Sequence, residues 1–196
     1  MSDLEKWGRF KLGDDESLSL IYSENSKRLY SFGLKFTPNH AIVEDSLQDL
    51  FSDLVRNRKK LGDTDNIHFY LLKSFKRRLI RQLQKEKRYS LKKRNEDFAF
   101  EIHYTIEEKI INKEETSLKL QLLHEALIRL TPRQKEAVYY RFTMEMEYPE
   151  IAEMMGMTIL SCRNLISRAI KSLKDSFQCN PSVLLLFLQK VVKKMV

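Results

Sequence analysis

Apolar positions recur three and four residues apart along most of this chain, the spacing that places them on one face of a helix. Between residues 16 and 36 the stripe reads Leu18, Tyr22, Asn25, Leu29, Phe32 and Phe36, broken by a single amide. Asp14 and Asp15 precede it as N-cap candidates, after a short helix or arm that ends at Gly13. Thr37-Pro38-Asn39 stops the helix. Ile42 or Val43, Leu47, Leu50, Phe51 and Leu54 predict a second helix over 40–60, with Glu44, Asp45, Gln48, Asp49 and Asp53 largely on its outer side. The run LGDTDN at 61–66 is a loop pivoting on Gly62, and Thr64 or Asp65 can cap a helix over 67–88. Phe75 falls one turn beyond Leu71 and one before Leu79, on the core face of that helix.

Residues 89–104 lose the period and change sign of charge, as a linker does. Thr105 and Glu108 form a capping box where helix resumes, and Leu118, Leu122, Leu123, Ala126, Leu127 and Leu130 make the next stripe. A second box, Thr131 with Gln134 around Pro132, opens a helix over 132–142. From Tyr148 to Lys174 the chain predicts two short helices and a tight turn. Pro149 sits in the first turn, Ile151, Ala152 and Met155 supply the apolar face, Gly156 closes the helix and Thr158 caps the next. Cys162, Leu165, Ile166, Ala169 and Leu173 share the buried face of the second helix. Ser161, Arg163, Asn164, Ser167, Arg168 and Lys171 share the other, and no acid lies between Thr158 and Lys174. That is the pattern of a helix-turn-helix. A final apolar helix over 182–195 is too short to span a bilayer and suits packing on its own domain or a partner. With no strand pattern and only five Gly and four Pro, the fold class is all-α: two helical domains joined by a linker, the C-terminal one a helix-turn-helix.

Charge sharpens this picture. The chain nets +8, yet from Lys73 to Arg94 there are eleven Lys or Arg against one acid, Glu86, so the remainder is slightly acidic. Such localised charge is the footprint of a polyanion, and Phe69, Tyr70, Phe75 and Tyr89 are interleaved with it. Aromatic rings beside a basic track can stack unpaired bases; Phe75 fits the core better, while Phe69 and Tyr70 suit either role. Asp45, Asp49 and Asp53 recur four apart, but no His or further acid closes a metal site around them. Cys162 and Cys179 lack metal-ligand spacing, and the free thiols suit a reducing compartment. The N-terminus has no apolar run like a signal peptide. These features imply a cytoplasmic protein with no cofactor, no metal and no membrane insertion of its own.

Two separated segments resemble one family. LTPRQKEAVYYRF (Leu130–Phe142) with YPEIAEMMGMTILSCRNLISRAIKSL (Tyr148–Leu173) is similar to the C-terminal DNA-binding domain of bacterial sigma factors. EDSLQDLF (Glu44–Phe51) and YLLKSFKRRLIRQLQK (Tyr70–Lys85) are similar to their core domain. Two domains and a short linker resemble an extracytoplasmic-function (ECF) sigma factor. The segment SCRNLISRAIKSL looks most like the Bacteroidota branch. The resemblance implies sigma region 2 over 1–90, a linker over 91–117, sigma region 4 over 118–178 and a helical tail over 179–196. It implies a non-enzymatic factor that binds core RNA polymerase and promoter DNA, with an anti-sigma factor, often membrane-anchored in that branch, as a further partner. Asp45, Gln48, Asp49 and Phe51 match the polymerase-docking helix. Gly62, Asp63, Asn66, Phe69, Tyr70, Lys73, Arg77, Arg81 and Lys85 match the loop and helix that melt and hold the −10 element. Arg77 and Arg81 stand where the family usually has Asn and Asp, which favours phosphate contact there. Thr158, Ser161, Arg163, Asn164, Ser167, Arg168 and Lys171 match the −35 reader. The rival reading is a helix-turn-helix regulator that acts without polymerase docking.

Overall fold

The computed structural model describes residues 1–89, Phe100 and residues 126–177. These residues form helices and no strand, and the chain divides into two compact units, Met1–Phe98 and Ala99–Val196. The all-α reading holds. The capping box at Thr105 and Glu108, the stripe positions Leu118, Leu122 and Leu123, the linker over 91–117, Cys179 and the tail helix lie outside the described residues.

The described residues of the first unit form four α-helices: α1 (Asp3–Leu12), α2 (Asp15–Gly33), α3 (His40–Asn57) and α4 (Ile67–Tyr89). A capping box between Ser2 and Glu5 starts α1, and Gly13 ends it at φ 99°, a left-handed conformation natural to glycine. Asp14 caps α2 through the amide of Ser17. Asn39 caps α3, which ends at Asn57 rather than 60; a 3₁₀ turn, Arg58–Lys60, completes the expected span. Trp7, Leu29, Phe32, Val43, Leu71, Leu72, Phe75 and Leu79 are fully buried, so Phe75 is core as its spacing required.

The start of the α2 stripe needs correction. Ser17 and Ile21 are buried, whereas Leu18 is half-buried and Tyr22 is 49 % exposed. The buried line at this end of α2 runs through positions 17, 21 and 25, each about one turn from the next, and positions 18 and 22 lie beside it. Asn25 itself is buried and satisfied. Its Nδ2 donates to the Ile21 carbonyl at 2.8 Å, and its Oδ1 faces His68 Nδ1 at 2.9 Å.

The second unit closes around α5 (Pro132–Phe142), α6 (Tyr148–Met155) and α7 (Ile159–Phe177), preceded by a helical end at 126–128. The Thr131–Gln134 capping box forms around Pro132 as expected. Ala126, Leu127, Leu130, Ala137, Tyr140, Ile151, Cys162, Ile166, Ala169 and Leu173 are buried together. Leu165, expected inside, is only half-buried at the edge of that face. The buried Tyr140 hydroxyl donates to Glu136 Oε1 at 2.8 Å. Burial first, then the neighbouring Glu136 carboxylate, raises its pKa well above the ordinary tyrosine value. Among the described residues no helix is long and apolar enough to cross a membrane.

Candidate polymerase and nucleic-acid interfaces

In the second unit the turn does what its sequence dictates. Gly156 takes φ 62° and ends α6, and Thr158 Oγ1 accepts from the amide of Ser161 at 3.2 Å to start α7. Cys162, Ile166, Ala169 and Leu173 anchor one face of α7, and burial pushes the Cys162 thiol pKa up. Thr158, Ser161, Arg163, Asn164, Ser167, Arg168 and Lys171 are therefore all exposed on the other. The ring of Tyr148 lies under two guanidinium groups, Arg141 at 4.9 Å and Arg163 at 5.4 Å. Arg141 also donates to the Met146 carbonyl at 2.8 Å and pairs with Glu147 at 3.0 Å. It thus pins the turn containing Glu145, whose φ is 56°.

Three residues of this surface escaped the sequence reasoning. Ile159 and Leu160 are 43 % and 69 % exposed in the first turn of α7. Their signal was their position: apolar, yet off the stripe that begins at Cys162. Arg129 joins Arg168 and Lys171, with Ser172 and Asp175, around an open concavity of about 420 Å³. Only the fold brings it there, across some forty residues of chain.

In the first unit, Lys73, Arg77, Arg81 and Lys85 recur four apart on α4; Lys73 is half-buried and the other three are exposed. Arg78 turns the other way, to Asp53 of α3, which also lies 3.4 Å from Arg56. Asp53 is thereby removed from the row it made with Asp45 and Asp49. No group of His, Cys, Asp or Glu among the described residues is arranged to hold a metal ion. Asp45, Gln48 and Asp49 are exposed together. Phe51 is not part of that surface: it is 7 % exposed, and its ring packs edge-on against Tyr22 at 4.8 Å. Phe51 lies on the core face of α3 with Leu47, Leu50 and Leu54, as its spacing required, so the exposed docking candidates are Asp45, Gln48 and Asp49.

Gly62, Asp63 and Asn66 are exposed in the loop, and Phe69 and Tyr70 are half-buried at the start of α4. Neither Thr64 nor Asp65 caps α4. Asn66 Oδ1 accepts from the amide of Phe69 at 3.0 Å, while Thr64 Oγ1 accepts from the amide of Asn66 at 3.2 Å and shapes the turn before it. The residue directly before the first helical turn has the reach to satisfy its free amides. Three contacts reach the loop and the helix start from α1. Trp7 Nε1 donates to the Gly62 carbonyl at 2.8 Å, Lys11 pairs with Asp63 at 2.6 Å, and Asp3 Oδ2 accepts from the amide of Ile67 at 2.9 Å. Trp7 also meets the ring of Tyr70 at 5.0 Å.

Both units match known families. Sigma-70 region 2 matches residues 21–89, and sigma-70 region 4 matches residues 120–173. Together they cover well over half of the chain, and it belongs to the sigma-70 family, with the two-domain organisation of an ECF sigma factor. Its function is that of the family: it directs promoter recognition, region 2 binding core RNA polymerase and region 4 the −35 element. No curated protein matches the chain significantly. Among solved structures it is similar to the sigma factor RpoE in complex with the anti-sigma factor NepR from Bartonella quintana. That match has a TM-score of 0.55 and 19% identity, over 85% of this chain and 97% of that one. It is also similar to CnrH in complex with the cytosolic domain of CnrY, with a TM-score of 0.57 and 14% identity, over 90% of this chain and 97% of that one. At these identities the likeness is one of fold.

Proposed function

We propose that three surfaces of this sigma factor divide the work of initiation. The observation that carries the proposal is the common exposure of all seven candidate reader residues on one face of α7, opposite its buried stripe. Thr158, Ser161, Arg163 and Asn164, in the first turns, enter the major groove of the −35 element, where Arg pairs with guanine and Asn with adenine. Ser167, Arg168 and Lys171, with Arg129 beside them, hold phosphate. Leu160 meets a thymine methyl group, the one base feature an exposed aliphatic side chain reads.

On region 2, Lys73, Arg77, Arg81 and Lys85 follow the strand backbone of the −10 element. Gly62, Asp63, Asn66, Phe69 and Tyr70 receive its unpaired bases. The acidic patch of Asp45, Gln48 and Asp49 docks on core polymerase. The chain has no catalysis of its own and works in the cytoplasm, where its polymerase is. The resemblance of the segment Ser161–Leu173 to the Bacteroidota-like branch of the family supports membership of that branch. The complexes of similar fold suggest an anti-sigma factor, membrane-anchored in that branch, as its regulator. The domain limits follow as region 2 over 1–90, linker over 91–117, region 4 over 118–178 and tail over 179–196.

The test is transcription in vitro from genomic DNA with purified core enzyme, followed by mapping of start sites. Starts sharing a −35 and a −10 motif, absent with core alone, are expected. DNA binding by the chain without any polymerase-dependent start would sink the proposal.

A further inference from the structure

The helix α1 lies ahead of the region 2 match, which begins at residue 21, yet it is built into the most function-bearing loop of that unit. Asp3, Trp7 and Lys11 are four apart, so they form one stripe along the helix. Each holds a different point of the loop. Asp3 takes the amide of Ile67 where α4 begins, Trp7 takes the carbonyl of Gly62, and Lys11 takes the carboxylate of Asp63. The partners are fifty or more residues away in sequence, so these contacts are tertiary rather than local.

We infer that α1 is a positioning element for −10 recognition, with Trp7 and Lys11 as the positioning residues. The inference rests on the reading of residues 61–66 as the base-receiving loop. Gly62 has open space where a Cβ would stand, so no neighbour packs against that side of the loop. The Trp7 hydrogen bond ties the Gly62 carbonyl to the core, since Trp7 is 0 % exposed and seated against Phe10 and Tyr70. A loop already in its binding conformation avoids an ordering cost when DNA arrives. Lys11 adds an electrostatic part. Asp63 is exposed, and an unpaired carboxylate there would repel the approaching phosphates; its partner cancels that charge and aims the oxygens.

The experiment uses the full chain with core polymerase and a promoter library randomised at the −10 and −35 elements. Lys11→Ala, Lys11→Arg and Trp7→Phe are compared with Asp63→Ala and Asn66→Ala in the loop itself. Lys11→Ala is expected to change preference at one or two −10 positions by about two- to fivefold, the range an exposed ion pair supports. Lys11→Arg should restore it, and −35 preferences and holoenzyme assembly should not move. Trp7→Phe, which keeps the ring and deletes the donor, should shift the same positions; Lys11, at the surface end of the stripe, serves if Trp7→Phe fails to fold. If the loop variants alter −10 preference while Lys11→Ala and Trp7→Phe leave it unchanged, or lower every promoter in proportion, α1 is only structural and the inference is overturned. If the loop variants themselves leave −10 preference untouched, the loop reading falls, and the positioning role falls with it.

Discussion

Protonation of His68 should unlatch region 2 in mild acid. His68 stands in the first turn of α4, largely buried, with Nδ1 against Asn25 Oδ1 at 2.9 Å. Asn25 Nδ2 is occupied by the Ile21 carbonyl, so the amide oxygen accepts and Nδ1 carries the proton. Nε2 is then the bare nitrogen, and it is buried with no hydrogen-bond partner. Adding a proton there creates a buried charge with nothing to receive it. Burial first, then the charge of Arg28, lowers the pKa of His68 to about 4, against a smaller opposing pull from Asp3. The neutral form is thus the one the fold prefers. Its contribution is complete above the unfolded value of 6.5 and is lost as pH falls toward 4. Linkage over that window gives about 2 kcal/mol lost at pH 5 and about 3 kcal/mol at pH 4. Trp7 is the chain's single tryptophan and is fully buried in the same unit, so its fluorescence reports unfolding of region 2 alone. Urea unfolding at pH 7 and pH 5, followed by that signal, should show wild type losing about 2 kcal/mol more than His68→Gln, which keeps a donor for Asn25 and does not titrate. Equal losses in the two proteins would refute the reasoning.

Three further outcomes are expected. Gly33→Ala should destabilise region 2 by about 1 kcal/mol, because a Cβ there would lie 2.7 Å from Val43 Cγ1 and 3.1 Å from Phe75 Cζ, and that crowding outweighs the better helix propensity of Ala; Val43→Ala should cost less in the Gly33→Ala background than in wild type, and a Gly33→Ala protein more stable than wild type would dismiss the close approach. Arg163→Ala and Leu160→Ala should each flatten preference at one or two −35 base pairs, by roughly 1–3 kcal/mol for the bidentate arginine pairing, while Lys171→Ala weakens all promoters alike; a randomised −35 library decides, and proportional loss for Arg163→Ala would make it a phosphate contact. Reversing Asp45 and Asp49 together to Lys should reduce capture of core polymerase in a pull-down without changing the melting of region 2, since like charges at a docking surface repel; undiminished capture would move the docking site elsewhere.

Most of the helices, the caps at Asp14, Thr131, Gly156 and Thr158, and most of the buried faces were readable from the chain, because a 3.6-residue period and cap chemistry act over a few residues. The exposed row on α7 was readable for the same reason: one face of an amphipathic helix defines the other. Two slips were local, the cap of α4 and the start of the α2 stripe; in the others a partner distant in sequence had decided. Phe51 has the right chemistry for a docking anchor, but Tyr22 and the α3 core cover it. Arg78 and Asp53 look like members of a basic track and an acidic row, yet each takes the other out of its row. Asn25 looked like a flaw in an apolar stripe until His68 arrived from α4 to use it. The clamp of Asp3, Trp7 and Lys11 on the loop is the fullest case. Its four-residue spacing is written in the sequence, but hydrogen bonds and ion pairs act over about 3 Å, and only the folded chain brings residues 3–11 within that distance of residues 62–67.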